Sequence, residues 1–220
     1  MKDNLTLYNF NKNNKDYIIR QLVPDDTKDF INLIVDMYSH LDNLEWFTPM
    51  PYDYDNVLGM ITNPRFYIIG LFDKNNLVGV SSLDYKCGKL IGKMDFGTEC
   101  NTDSMVELAF NMVSSQYRGN GLMSEMIKYL IEKLKSDGYE WCMSKVHKDN
   151  IASYNSLLKS GLTNLCKYQK GVKKSDFVYL SSQPFFSSIG KQNAEKSLSK
   201  TNEDDDELIV EYYIMLKKLY

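Results

Sequence analysis

Residues Met105 to Leu134 constrain this chain more than any other stretch. The run Met105 to Val113 first alternates and then becomes mostly apolar. It stops at Ser114-Ser115 and passes through Arg118-Gly119-Asn120-Gly121 into Leu122-Met123, Met126-Ile127, Leu130-Ile131 and Leu134. That succession reads as strand, tight turn and amphipathic helix. The two glycines at the helix start let a ligand approach the backbone without Cβ interference. Free amides from Gly119 to Met123, aided by the helix dipole, attract an anionic phosphate, and Arg118 adds a fork-shaped donor beside them. The same residues also suit a plain strand-to-helix corner in which the glycines only serve the turn.

The surrounding chain has the composition of an ordinary soluble globular protein, with 43% hydrophobic and 25% charged residues over 220 positions, and one domain is the expectation. A formal net charge of −3 and a pI near 5.5 argue against broad binding to nucleic acid or anionic membrane, which needs a basic face. A cationic or amine substrate is compatible with that charge. The first residues lack an apolar run of signal-peptide length, and nowhere do about 18 apolar residues follow one another, so a cytoplasmic protein is expected. Cys87, Cys100, Cys142 and Cys166 are scattered without a Cys-x-x-Cys pair, and His40 and His147 are the sole imidazoles. Neither a disulfide framework nor a metal site is expected from that spacing.

In chain order, a polar leader precedes a first strand at Tyr17 to Val23, and Pro24-Asp25-Asp26 opens a helix running to about Leu41. Asp42 to Pro51 reads as an aromatic loop, Tyr54 to Ile61 as a short helix, and Arg65 to Phe72 with Leu77 to Tyr85 as a hairpin turned at Asp73-Lys74-Asn75-Asn76. Lys86 to Asp103 has no clear period and reads as an irregular excursion with room for a short hairpin. After the central helix, which ends near Gly138, Glu140 to Val146 is a strand candidate and Asn150 to Ser160 a helix, an alternation that favours one parallel strand pair. Leu165 to Leu180 contains β material. Ser181 to Glu207, ending in the acidic run Glu203 to Glu207, reads as a solvated polar insertion, mobile over Ser187 to Glu207, ahead of a last strand at Leu208 to Leu219.

Glu107-Leu108, Val113, Tyr117-Arg118-Gly119 and Gly121-Leu122 together resemble the acyl-CoA signature of the GNAT superfamily of N-acetyltransferases. Its core Q-x-x-G-x-G stands here as Gln116, Gly119 and Gly121, while Asn111, Met112 and Ser115 occupy softer positions. Asn150, Ser153 and Gly161-Leu162 resemble the family's second block, with Leu162 in place of a phenylalanine. The resemblance implies an α/β (α+β) fold with a mixed, largely antiparallel sheet of about seven strands and two splayed parallel central strands. It also implies acetyl-CoA as cosubstrate, a small-molecule or peptide amine acceptor, and a fold compatible with a homodimer.

By the same resemblance, Met112 and Val113 carry a strand bulge whose amide faces the thioester oxygen. Gln116, Tyr117, Arg118, Gly119, Asn120, Gly121, Leu122 and Met123 hold the cofactor, with Asn150 and Ser153 beside the pantetheine arm. Glu107 is the candidate base or amine-holding carboxylate, on one face with Ala109 and Asn111 until a bulge resets the phase. Its plain alternative is a sheet glutamate paired with a lysine. Asn150 equally suits a helix cap. Many relatives carry a tyrosine acid seven positions after that asparagine. Leu157 stands there in this chain, and Tyr154, one helical turn earlier, is the remaining candidate.

Two other readings use the same residues. A dinucleotide fold would use Gly119-x-Gly121 with Glu140 about twenty residues on, but Ser124 replaces its third glycine. A catalytically silent acyl-CoA-binding or interaction module would keep the phosphate turn without needing Glu107.

Overall fold

A computed structural model describes residues 6–47, 50, 52–86, 102–173, 175, 188–199 and 206–220. The sheet begins earlier than the polar leader suggests. β1 (Thr6–Lys12) and β2 (Lys15–Gln21) form an antiparallel hairpin through Asn13 and Asn14, whose φ angles are 53° and 61°. Two successive positive φ values are the geometry of a two-residue hairpin turn, and asparagine tolerates them. The stretch before Tyr17 is thus an edge strand from Thr6, announced by the Asn-Asn pair between two alternating runs.

β3 (Phe66–Asp73) and β4 (Asn76–Asp84) form the expected second hairpin, with Lys74 at φ 56° in the turn. β5 (Met105–Val113), β6 (Trp141–His147), β7 (Thr163–Lys173) and β8 (Glu207–Lys218) complete an eight-stranded sheet in the order β1-β2-β3-β4-β5-β6-β8-β7. Among the described residues every neighbouring pair is antiparallel except β5 and β6, which rules out a doubly wound dinucleotide sheet.

Alternation along the strands sends successive side chains to opposite faces, and each face is covered by helices. Ile68 and Phe72 pack with Phe30, Ile34 and Tyr38 of α1 (Thr27–Ser39) and Val57 of α2 (Tyr54–Thr62). Ile69 and Leu71 pack with Met126, Ile127 and Leu130 of α3 (Leu122–Ser136) and Leu157 of α4 (Ile151–Lys159). Between the layers, Arg20 donates to Asp26 at 2.6 and 2.8 Å while stacking on Phe72 at 3.9 Å, so a buried charge is both paired and covered.

The polar insertion needs a partial correction. Within it, Ser188–Leu198 forms α5, with Ala194 buried in the α1-side cluster and the Asn193 amide donating to the Asp42 carbonyl. The helix docks through Ala194, the partly buried Leu198 and a side-chain hydrogen bond, a contact set too sparse for the hydropathy pattern to reveal. The excursion expected between Lys86 and Asp103 falls mostly outside the described residues, as does most of the acidic run; Thr102–Ser104 is a short 3-10 turn. No helix among the described residues is long and apolar enough to cross a membrane.

What positions the site is the short length of the parallel pairing. β5 and β6 are in register from Met105↔Trp141 only to Leu108↔Ser144, although β5 continues to Val113 and β6 to His147. Beyond Leu108 the two strands part.

Candidate active site

A bulge in β5 sits where the strands separate. Ser81 pairs with Asn111 and Leu83 with Leu108, so Ala109 and Phe110 together oppose Ser82, and the Phe110 amide donates to the Ser82 hydroxyl at 3.3 Å. The side chains record the phase change: Val106 and Leu108 join the α3-side cluster, whereas Phe110 and Met112 join the α1-side cluster. The bulge is therefore upstream of Met112 and Val113, where it was expected. Glu107 and Ala109 keep a common face, but Asn111 is turned to the other and faces Ser81 across the ladder.

The bulge also sets the direction of the backbone that follows. The Ser114 amide donates to the Val78 carbonyl at 2.9 Å, and ladder bonds alternate, so the amide of Met112 faces β4 and that of Val113 faces the gap left by β6. The Val113 carbonyl points the same way, since Arg118 Nε donates to it at 3.2 Å.

The turn after β5 is held from several sides. The Ser115 amide and hydroxyl donate to the Asp36 carboxylate of α1 at 2.8 and 2.9 Å, and the Tyr117 hydroxyl donates to Asp73 at 2.9 Å. Asn120 donates back to the Tyr117 carbonyl at 3.2 Å, and Arg118 Nη1 donates to the His40 carbonyl at 3.3 Å. Gly119 and Gly121 have φ angles of 80° and 69°, a region that disfavours side-chain-bearing residues. Gly121 occupies the cap position of α3 and offers no side chain, so the first amides of that helix are left for another partner.

Turn and gap open into one cleft of about 660 Å³. Glu107, Met112, Val113, Tyr117, Arg118, Gly119, Gly121, Leu122, Met123, Asn150 and Ser153 all line it. Gln116, Asn120 and Tyr154 are not in its wall. Asn150 caps α4, its side-chain oxygen accepting from the Ser153 amide at 3.1 Å, so the structural role holds at a position that also faces the cleft. Tyr154 packs on Tyr213 with ring centroids 5.6 Å apart, and Leu157 is buried against α3. On α4 Tyr154 is half-buried and Leu157 buried, and neither side chain is part of the cleft wall.

At the other end of the cleft, Glu107 is 5% exposed and lies 3.0 Å from Lys145 Nζ. Asp84 faces it in register on β4 and takes a two-pronged pair from Arg65 at 2.7 and 2.5 Å. Two adjacent buried carboxylates are thereby each matched by a cation. Trp46, Phe47, Met50 and Tyr212 add an apolar wall. His147 holds that wall in place: its Nε2 is 3.4 Å from Glu45 while its Nδ1 accepts from the Asp149 amide at 3.1 Å. Lys145, Asp84 and Arg65 escaped the sequence reading because strand register is a property of the assembled sheet. No group of three or more metal-ligating side chains occurs among the described residues.

The sequence matches the acetyltransferase (GNAT) family over residues 27–161, more than half of the chain. The chain belongs to that family. No curated protein matches it. Solved structures share the fold at low identity. An N-acetyltransferase from Staphylococcus aureus Mu50 is 12% identical with a TM-score of 0.60, covering 93% of this chain and 99% of its own. The Salmonella typhimurium protein yncA, solved with its cofactor acetyl-CoA, is 13% identical at 0.60, covering 93% and 94%. A ribosomal-protein-alanine N-acetyltransferase from Brucella melitensis is 15% identical at 0.59, covering 91% and 98%.

In this GNAT chain the Asp36 clamp is measurable through pH. Burial pushes the Asp36 carboxyl up, but its bonds from Ser115 and Ser114 and the neighbouring His40 outweigh that and hold it below the usual carboxylate value of 3.8. A depressed native pKa contributes stability that is present above the unfolded value and lost as pH falls through the native one. Urea denaturation of Asp36→Asn should therefore show a lower midpoint than the wild type near neutral pH, with the gap closing below about pH 4. A gap that stays constant down to acid pH would contradict the clamp.

Proposed function

We propose that this chain transfers the acetyl group of acetyl-CoA, the family's cosubstrate, to a primary amine by direct attack on the thioester. The observation that carries the reading is the continuity of the cleft, which runs from the uncapped α3 amides through the β5–β6 gap to Glu107. Helix-start amides and Arg118 suit a diphosphate in charge and geometry. The gap leaves backbone donors and acceptors of β5 for an amide-bearing arm that would otherwise need a strand partner. The outward amide of Val113 is the donor for a carbonyl oxygen that gains negative charge as the amine adds.

Glu107 is the group in the cleft suited to take the ammonium proton, directly or through water. Lys145 balances its charge, and a carboxylate retains further acceptor sites when one is occupied. In the transfer the amine nitrogen forms the new bond to the carbonyl carbon, the carbon–sulfur bond breaks, and the pair of electrons leaves on the thiolate. A thiolate whose conjugate acid has a pKa near about 8.5 leaves without obligatory protonation, so the lack of a tyrosine at residue 157 does not stop the reaction. The ribosomal-protein-alanine N-acetyltransferase acts on a protein amine by its name, which keeps peptide amines beside small molecules as acceptors.

A panel of primary amines incubated with acetyl-CoA, read by thiol release, tests the reading. At least one amine should be turned over; acetyl-CoA binding with no turnover of any amine would instead indicate a silent binding module. With the best acceptor, Glu107→Gln should lower kcat/KM chiefly near neutral pH and recover toward wild type at high pH, where the amine is already free. A uniform loss across pH would leave Glu107 a binding or structural residue. Tyr154→Phe should cost less than about tenfold in turnover, roughly 1.4 kcal/mol. A loss of several hundredfold with the fold intact would restore Tyr154 as an acid.

A further inference from the structure

The tip of the β1–β2 hairpin reaches the back of the phosphate-facing turn. Lys12 Nζ lies 2.7 Å from Glu125 Oε1 and 3.5 Å from the Gly121 carbonyl, and Asn13 donates to the Asn120 side-chain oxygen at 2.9 Å. Glu125 occupies the first turn of α3. In an empty helix a carboxylate there is favourable, because the N-terminal end carries partial positive charge. Once the same amides are to receive an anion, that carboxylate opposes it. Its side chain is 22% exposed, so water screens the repulsion incompletely.

Burial pushes the Glu125 carboxyl up, yet Lys12 and Lys128 bring it below the usual range, so it is ionised at neutral pH. Lys12 is the closer and less exposed of the two cations, with Lys128 at 3.5 Å and more than half exposed.

We propose that Lys12 is a positioning residue for the anionic part of the acyl-CoA site: it cancels the Glu125 charge behind the turn and holds the Gly121 carbonyl, leaving the α3 amides and Arg118 to present a net positive field. The proposal rests on the reading of this turn as the diphosphate site. It gives the edge hairpin a task that its exposed, polar sequence does not suggest.

Calorimetric titration of CoA into the full chain tests it. At low salt Lys12→Met should bind about tenfold more weakly, and Glu125→Gln several-fold more tightly, than wild type. The double variant should return to within about threefold of wild type, and all three differences should shrink at high salt. Lys12→Arg, which keeps the charge, should stay near wild type. Unchanged affinity in Lys12→Met, or a Glu125→Gln change that neither tightens binding nor rescues the double variant, would overturn the charge role. Should Lys12→Met fail to fold, the sign of the Glu125→Gln effect decides alone. Wild-type chain that binds no CoA would overturn the acetyl-CoA reading itself, whereas wild-type binding without the Glu125→Gln effect would overturn only the role of Lys12.

Discussion

The parting of β5 and β6 is the constraint on which the rest of the structure depends. A parallel pair that ended with its strands would bury its backbone groups in the ladder and leave a closed sheet. Here the register stops at Leu108↔Ser144, and the strands run on without each other. Backbone amides and carbonyls must then find another partner, because leaving them buried and unpaired is costly. The bulge at Ala109–Phe110 lies where that pairing ends: on the β4 side Ser82 supplies a hydroxyl for the Phe110 amide, and the chain after it is re-aimed with Val113 facing the gap. On the proposed function, a ligand with its own amides would complete the arrangement, and the fold defect and the binding site would be the same feature.

The turn that follows shows how a loop is made rigid without being buried. Contacts from α1, from the β3–β4 turn and from the β1–β2 turn meet on Ser115, Tyr117 and Asn120. Each fixes a different residue, so the ordering cost of the turn falls on the folding of the domain rather than on ligand binding. The wall at the opposite end is assembled in the same way, with His147 and Glu45 joining the end of β6 to the Leu44–Trp46 turn, and α5 packed behind through Asn193.

The central strand, turn and helix were legible because period, glycines and caps are local properties, and β5 has the bounds that its sequence pattern suggests. The hairpin at Lys74-Asn75 and the Asn150 cap were legible for the same reason. The missing first strand was a matter of weight: Thr6 to Lys12 is polar enough to pass for a leader, and its Asn-Asn turn was the signal overlooked. A lysine partner for Glu107 was among the sequence readings, but which lysine, and the presence of Asp84 opposite, could not be read, since both meet it only through strand register across a parallel and an antiparallel pair. The location of the bulge was likewise inaccessible, because alternation within β5 looks the same whether its phase is reset at Ala109 or at Met112. Tyr154 was a candidate by sequence distance, but helical phase turned it toward Tyr213.

The measurement that tests the account most directly is amide hydrogen exchange with and without acetyl-CoA. If the gap and the turn are the ligand's seat, protection should rise at Val113, Gly119 and Gly121 to Met123, and stay unchanged along the β7–β8 pair. Protection that rises elsewhere while those amides exchange as before would contradict the assignment of the β5–β6 gap as the acetyl-CoA site.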